Sequence, residues 1–216
     1  MHKRLIKYIL IVALFVVWGI LSHAQERWEL RKDKNGIKVF SSTTEQSDFE
    51  AFKAKMLLDG SIQSFVAVLK DIESLPDWAY NVKYADLLEK SGDTLQVYYS
   101  EATAPFPFRN RDGIYLNRFR WISDSSKLFV DIELLHDYLE VKDKVVRVKG
   151  KGFWSVYVLK TGKLDVTFQM QVDPGGNIPA WLANIFLDDT PYFSMLKMRE
   201  IIKKEKYQNQ IFDFID

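Results

Sequence analysis

Leu164-Asp165-Val166-Thr167-Phe168-Gln169-Met170-Gln171-Val172-Asp173-Pro174-Gly175-Gly176-Asn177-Ile178-Pro179-Ala180-Trp181 is the stretch that decides the fold. Its first ten residues alternate without a break, with Leu164, Val166, Phe168, Met170 and Val172 on one face and polar side chains on the other. A period of two is the pattern of a half-buried strand. Pro174 ends that strand, and Gly175-Gly176 opens backbone angles that side chains avoid, so the chain turns sharply. Asn177 fits an N-cap, and Pro179 falls in the first turn, where its missing N–H costs little. Ile178, Trp181, Leu182, Ile185 and Phe186 then recur at helical spacing as one apolar stripe. A sheet strand is thus joined through two glycines to a helix with a wide apolar face. That helix is expected to cover the sheet and, about Gly175 and Gly176, to lift from it.

Upstream of this junction, seven short strands are expected over 82–88, 94–102, 113–121, 127–135, 145–149, 152–159 and 163–172. Links such as Ser91-Gly92-Asp93 and Thr161-Gly162 join them, which predicts an antiparallel meander. Two earlier strands begin at Ile37 and Phe49, the second apolar on both faces, so its buried side stays open. Ser61 suits the N-cap of a helix carrying Phe65, Val68, Leu69 and Ile72, with Pro76 at its end and Trp78 packing onto the sheet. Near the C-terminus, Thr190-Pro191 predicts a cap followed by proline at the first helical position. Met195, Met198 and Ile202 extend the apolar stripe, and flexible methionines suit a surface that fits more than one ligand shape. Lys203, Lys204 and Lys206 are expected to answer the negative end of the helix dipole.

Composition narrows the chemistry. The 216 residues make one domain after a leader over 1–24, in which Lys3, Arg4 and Lys7 precede an apolar run and Ser22-His23-Ala24 supplies a cleavage site. An uncleaved anchor is the rival, although the run is short for a bilayer span of about 20 residues. Removing the leader leaves 27 basic side chains (30 less those three) against 29 acidic ones, which argues against nucleic acid as a partner. The chain has no cysteine, so lipoprotein anchoring and thiol chemistry are excluded, and an exported, periplasmic setting is favoured. Of three histidines only His136 lies beyond the leader, so multi-histidine metal sites are excluded and no metal or cofactor is expected.

A second stretch gives the pattern a family. Ala104-Pro105-Phe106-Pro107-Phe108-Arg109-Asn110-Arg111-Asp112 leads into an aromatic strand, and Leu75-Pro76-Asp77-Trp78 and Val146-Arg147-Val148 flank it. With Asp173-Pro-Gly-Gly-x-Ile-Pro-Ala-Trp, these motifs resemble, in order from about Trp28 to Lys206, a START (steroidogenic acute regulatory-related lipid transfer) domain. The resemblance implies an α+β helix-grip fold: a curved antiparallel β-sheet wrapped around a long C-terminal α-helix, with a hydrophobic tunnel between them for one lipid or sterol.

Candidate residues follow from strand faces. Glu101 shares a face with Leu95, Val97 and Tyr99, and Arg147 sits among valines. If both point inward, each needs the other, because an unpaired buried charge costs several kcal/mol. Such a pair would polarise a ligand hydroxyl, as the resemblance implies; if both faces meet water, neither has that role. Asn117 lies with Tyr115, Phe119 and Trp121 and offers an amide to a ligand oxygen or to a backbone group. Phe168, Met170, Trp181, Ile185 and Met195 are expected to line the tunnel. Phe106 and Phe108 are expected at its mouth or touching a membrane, or else as a staple over the sheet end. Arg111 and Asp112 read as a lock between loops in preference to head-group contacts. The function expected is non-catalytic binding and transfer of one hydrophobic ligand by a monomer. A cyclase- or hydrolase-like enzyme using Glu101 or His136, and an envelope protein whose cavity its own side chains fill, are the rivals.

Overall fold

The structure, a computed structural model, describes residues 27–44, 47–176, 178, 184 and 187–215. The expected leader and the expected tunnel residues Trp181 and Ile185 lie outside the described residues. Ten strands form one sheet: β1 (Glu29–Lys34), β2 (Ile37–Thr44), β3 (Ser47–Asp59), β4 (Val82–Ser91), β5 (Leu95–Ala102), β6 (Asn110–Ile122), β7 (Lys127–Leu134), β8 (Val145–Arg147), β9 (Lys149–Val158) and β10 (Lys163–Asp173). They run in the order β1-β2-β3-β10-β9-β7-β6-β5-β4, with β8 beside β6. The strand read from alternation, β10, lies in the middle of that order. Its Leu164, Val166, Phe168 and Met170 stand opposite Leu58, Met56, Ala54 and Phe52 of β3. That register answers which face of β3 is buried: the even-numbered one, all four of whose residues are in the core.

One expected link differs. The strands are not a simple meander, because the chain leaves the sheet after β7 and β8 returns parallel to the start of β6, placing Arg147 opposite Asp112. The intervening segment, 135–144, lies over the outer face instead. There Val97, Tyr99, Ile114 and Leu116 form a second, smaller core with Leu135 packed against it.

Among the described residues, three α-helices occupy the concave side: α1 (Ile62–Lys70), α2 (Leu75–Trp78) and α3 (Asp189–Ile201). Ser61 caps α1 as expected, its Oγ accepting from the Ser64 N–H at 3.0 Å. Phe65, Val66, Val68 and Leu69 of α1 are buried, and Trp78 packs edge-on against Trp154 of β9. The start of α3 falls earlier than expected. Asp188 holds the cap position, and Pro191 is the third helical residue rather than the first. Lys32 of β1 explains the shift, because it meets Asp189 at 2.6 Å and Asp188 at 3.3 Å. Two carboxylates at the positive end of a helix are favourable, and the N–H that proline lacks there is one of the four left unbonded anyway. Tyr192, Met195, Met198 and Ile202 then face the core. The lysines after α3 bind acids rather than only the helix end: Lys203 meets Glu200, Lys204 meets Asp77 and Lys206 meets Asp71. No helix among the described residues is long and apolar enough to cross a membrane.

Candidate functional site

Between the sheet and α3 lie two adjoining chambers, an inner one of about 140 Å³ and an outer one of about 300 Å³. Ser100, Tyr115, Phe168, Met170 and Thr190 line both, so the two share a wall. Strand alternation builds the wall. On β6, Arg111, Tyr115 and Asn117 turn inward, while Ile114 and Leu116 belong to the outer cluster. On β5, Tyr98 and Ser100 turn inward, while Val97 and Tyr99 turn out. Ile72, Leu75, Trp78 and Trp154 close the inner end, and Trp154 stacks on Phe168 with centroids 3.9 Å apart.

The inner chamber is lined by no charged side chain. Tyr98 and Tyr115 stack there at 5.0 Å, and burial drives both phenols upward, Tyr115 to about 12, so they stay protonated. The Asn117 side chain near the Tyr98 hydroxyl draws that phenol back toward ionisation without overcoming burial. Asn117 Oδ1 and Trp78 Nε1 are buried with no hydrogen-bond partner among the described residues.

Charge is confined to the outer chamber, lined by Glu50, Arg111 and Asp112. Asp112 is already neutralised. Arg147 grips it with two bonds, Nε to Oδ1 at 3.0 Å and Nη2 to Oδ2 at 2.9 Å, and also donates to the His136 and Leu139 carbonyls. Among the described residues Arg111 has no such carboxylate. Its Nε donates to the Pro174 carbonyl at 3.3 Å and an Nη to that of Gly175 at 3.5 Å. Burial, and then the nearby Arg109 charge, push its guanidinium pKa down, the direction expected of a cation that lacks an anion.

Of the residues expected in the site, Asn117, Phe168 and Met170 line it. Met195 is fully buried core, not wall. Glu101, Tyr99 and Arg147 line neither chamber. Glu101 accepts from Asn110 at 2.7 Å and pairs with Lys83 at 3.5 Å on the outer side, and Arg147 binds Asp112 instead of Glu101. The apolar face of β5 faces out because segment 135–144 covers it. Its polar-looking face, Gln96-Tyr98-Ser100, is the cavity face. That face and Trp78 were the lining residues sequence reasoning missed, and a strand whose polar side is aromatic and uncharged was the available signal; Arg111, read as a loop lock in preference to a head-group contact, lines the outer chamber. Phe106 is 98% exposed on the loop before β6, and Phe108 is half-buried. Gly175 and Gly176 both adopt left-handed angles, with φ of 62° and 67°. No cluster of His, Cys, Asp and Glu that would hold a metal occurs among the described residues.

A curved antiparallel sheet closed on a C-terminal helix, with an apolar cavity between, defines the helix-grip class of ligand-binding proteins. The chain belongs to the START domain family, whose model matches residues 21–206, and whose members bind and transfer lipids. It is 31% identical over 163 residues to the phosphatidylcholine transfer protein of Rattus norvegicus, covering 73% of this chain and 75% of that one. It is 34% identical to a STAR-related lipid transfer protein of known structure from Xanthomonas axonopodis, with a TM-score of 0.76 over 82% of this chain and 99% of that one. Human StAR-related lipid transfer protein 5 shares the fold at 15% identity and a TM-score of 0.73, covering 94% and 98% of the two chains.

Proposed function

We propose that this protein carries one amphiphilic lipid with an anionic group, holding the apolar part along β6 and the anion at Arg111. The observation that supports it is the pair of adjoining chambers with, at the outer one, the Arg111 cation, which pairs with no carboxylate among the described residues. Removing apolar ligand surface from water is worth roughly 25 cal/mol per Å², and few polar groups are needed to orient what enters. The reading is of a carrier and not a catalyst: Glu101 and His136, on which the enzymatic alternative relied, line neither chamber, and Asp112 is held by Arg147. Exit is through movement of the C-terminal helix about Gly175-Gly176, with Phe106 meeting the membrane. Export by the 1–24 leader sets the compartment. A monomer fits the sheet edges, since β1 and β4 both carry register breaks and lysines that discourage edge pairing.

Mass spectrometry of the gently purified protein should find one acidic lipid per chain, and the delipidated protein should move that lipid between vesicles. A chemically altered lipid would make it an enzyme, and no uptake would make the cavity self-filled. An exported protein beginning at Met1 rather than Gln25 would replace the free carrier with an anchored one.

A further inference from the structure

Resting on the carrier reading, we infer that Lys32 is a positioning residue for lipid exchange: it clasps the first turn of α3 over the chambers, and its release sets how fast lipid enters and leaves. β1 contributes little else. It is the edge strand, it pairs among the described residues with β2 alone, and none of its six residues is buried. Leu30, its one apolar side chain, is 55% exposed. Lys32 is the one residue of the strand that is partly covered, and the helix covers it. Its ammonium bridges the carboxylates of Asp188 and Asp189 and lies 4.9 Å from the Tyr192 ring centre and 5.8 Å from that of Phe193. No other cation among the described residues pairs with either carboxylate.

The clasp acts at the wall of the cavity. Leu187 and Thr190 stand on either side of the two carboxylates; Leu187 lines the outer chamber and Thr190 lines both. The far end of α3 is fastened elsewhere and more than once. Lys204 binds Asp77, Lys206 and Tyr207 bind Asp71, and Phe212 and Phe214 pack against the core beyond. With that end fixed and the first turn held to an exposed edge strand, the helix opens at its first turn. The β1–β2 hairpin also meets α3 where Asn35 donates to the Tyr192 hydroxyl at 2.8 Å and Arg199 donates to the Asn35 carbonyl, but neither bond joins opposite charges. Of the contacts between hairpin and helix, the Lys32 pair is the one that salt weakens.

Release of an anthroyloxy-labelled stearic acid from the loaded protein to phosphatidylcholine vesicles, followed by stopped flow, tests the inference. Raising KCl from about 0.05 M to about 1 M shortens the screening length severalfold, so wild-type release should accelerate. Lys32→Met should release the probe about threefold to tenfold faster at low salt, as loss of a partly exposed ion pair with added ring contacts implies, and should lose most of the salt response. Its affinity should be unchanged, because the clasp closes empty and loaded protein alike. Lys32→Arg should behave as the wild type. Asp188→Asn combined with Asp189→Asn should reproduce Lys32→Met from the other side of the contact, and it carries the test if Lys32→Met does not fold. Lys204→Met breaks an ion pair at the far end of α3 and should leave release and its salt response unaltered. Arg111 is present in every one of these proteins, so its own response to salt cancels in the comparison. Unaltered release in Lys32→Met overturns the inference, as does a salt response as large as that of the wild type. Equal acceleration by Lys204→Met overturns it too, by making Lys32 one general support among several, and lowered affinity does so by making the lysine a lipid contact. A wild type that binds no probe overturns the carrier reading and the clasp with it, whereas binding with unaltered release leaves the carrier standing and removes only the clasp.

Discussion

Arg147 shows how one side chain is spent on architecture. Both bonds to Asp112 and both to strap carbonyls lie in a nearly closed pocket, with side-chain exposures of 3% and 0% for the pair. Removing one partner of such a pair leaves a buried charge and costs roughly 3–5 kcal/mol. Arg147→Ala should therefore lower the urea midpoint sharply, and segment 135–144 should become protease-sensitive first. Glu101 is the contrast. Its ion pair with Lys83 is long and one-sided, and such pairs contribute about 0–1 kcal/mol. Glu101→Leu should leave lipid affinity unchanged for every ligand, and a loss confined to hydroxylated ligands would return Glu101 to the cavity. From the sequence, Glu101 and Arg147 needed partners only if they pointed inward, and which side of the sheet they took was left open. Period-two alternation reports that two faces differ. It does not report which faces the cavity when a loop buries the other one as well.

Among the elements, the C-terminal segment after α3 is fastened at Asp77 by Lys204 and at Asp71 by both Lys206 and Tyr207. Burial opposes the Asp71 charge, but hydrogen bonds from Lys206, Tyr207 and Ser74 outweigh it and hold its pKa below the ordinary 3.8. The folded-state value is depressed, so its contribution is fully present above 3.8 and is lost as pH falls through the folded pKa. Asp71→Asn should cost about 2 kcal/mol at neutral pH. The gap between wild type and variant should close as pH falls below the ordinary 3.8 and through the depressed folded value, read as paired melting temperatures. A gap that stays constant with pH would mean that shape, not charge, matters at that position. The α3 boundary was legible only to within two residues, because Thr190-Pro191 carries a local capping signal while Lys32, far away in sequence, decides where the carboxylates sit. The Gly175-Gly176 turn permits a sharper separation. A Cβ at Gly175 would stand 2.9 Å from the Arg147 carbonyl, whereas one at Gly176 would first meet Val146 at an ordinary 3.5 Å. Both carry the left-handed backbone cost of about 1–2 kcal/mol. Gly176→Ala should therefore lower the melting temperature modestly and Gly175→Ala more so. If the turn is a gate, Gly176→Ala should also slow lipid exchange beyond what its lost stability accounts for, and unaltered exchange would leave the turn with a purely structural role.

At the scale of the molecule, the grip was readable from β10, the Ser61 cap and the order of motifs, since each is a local pattern that the tertiary structure reinforces. The cavity was less so, because a wall that must hold a lipid mixes Tyr, Asn and Ser with Phe and Met and blurs the apolar pattern by which cores are recognised. Phe106 tests the proposed membrane contact: Phe106→Ser should slow transfer between vesicles severalfold while lipid affinity in solution is unchanged, as an aromatic at a water–lipid interface requires. Sheet order has a further effect, on how the chain comes to be folded at all. β3 is completed on one side by its neighbour β2, but on the other only by β10, so Asp59 waits for Lys163 and Met56 for Val166. Until more than a hundred further residues have been made, the apolar edge of β3 has nothing to pair with, and contacts that distant close slowly. Val166→Ala should slow refolding measured by tryptophan fluorescence, whereas Val39→Ala in the local β2–β3 pair should chiefly speed unfolding. A chain so arranged stays open while it is being made, and becomes a container only once its last strand has arrived.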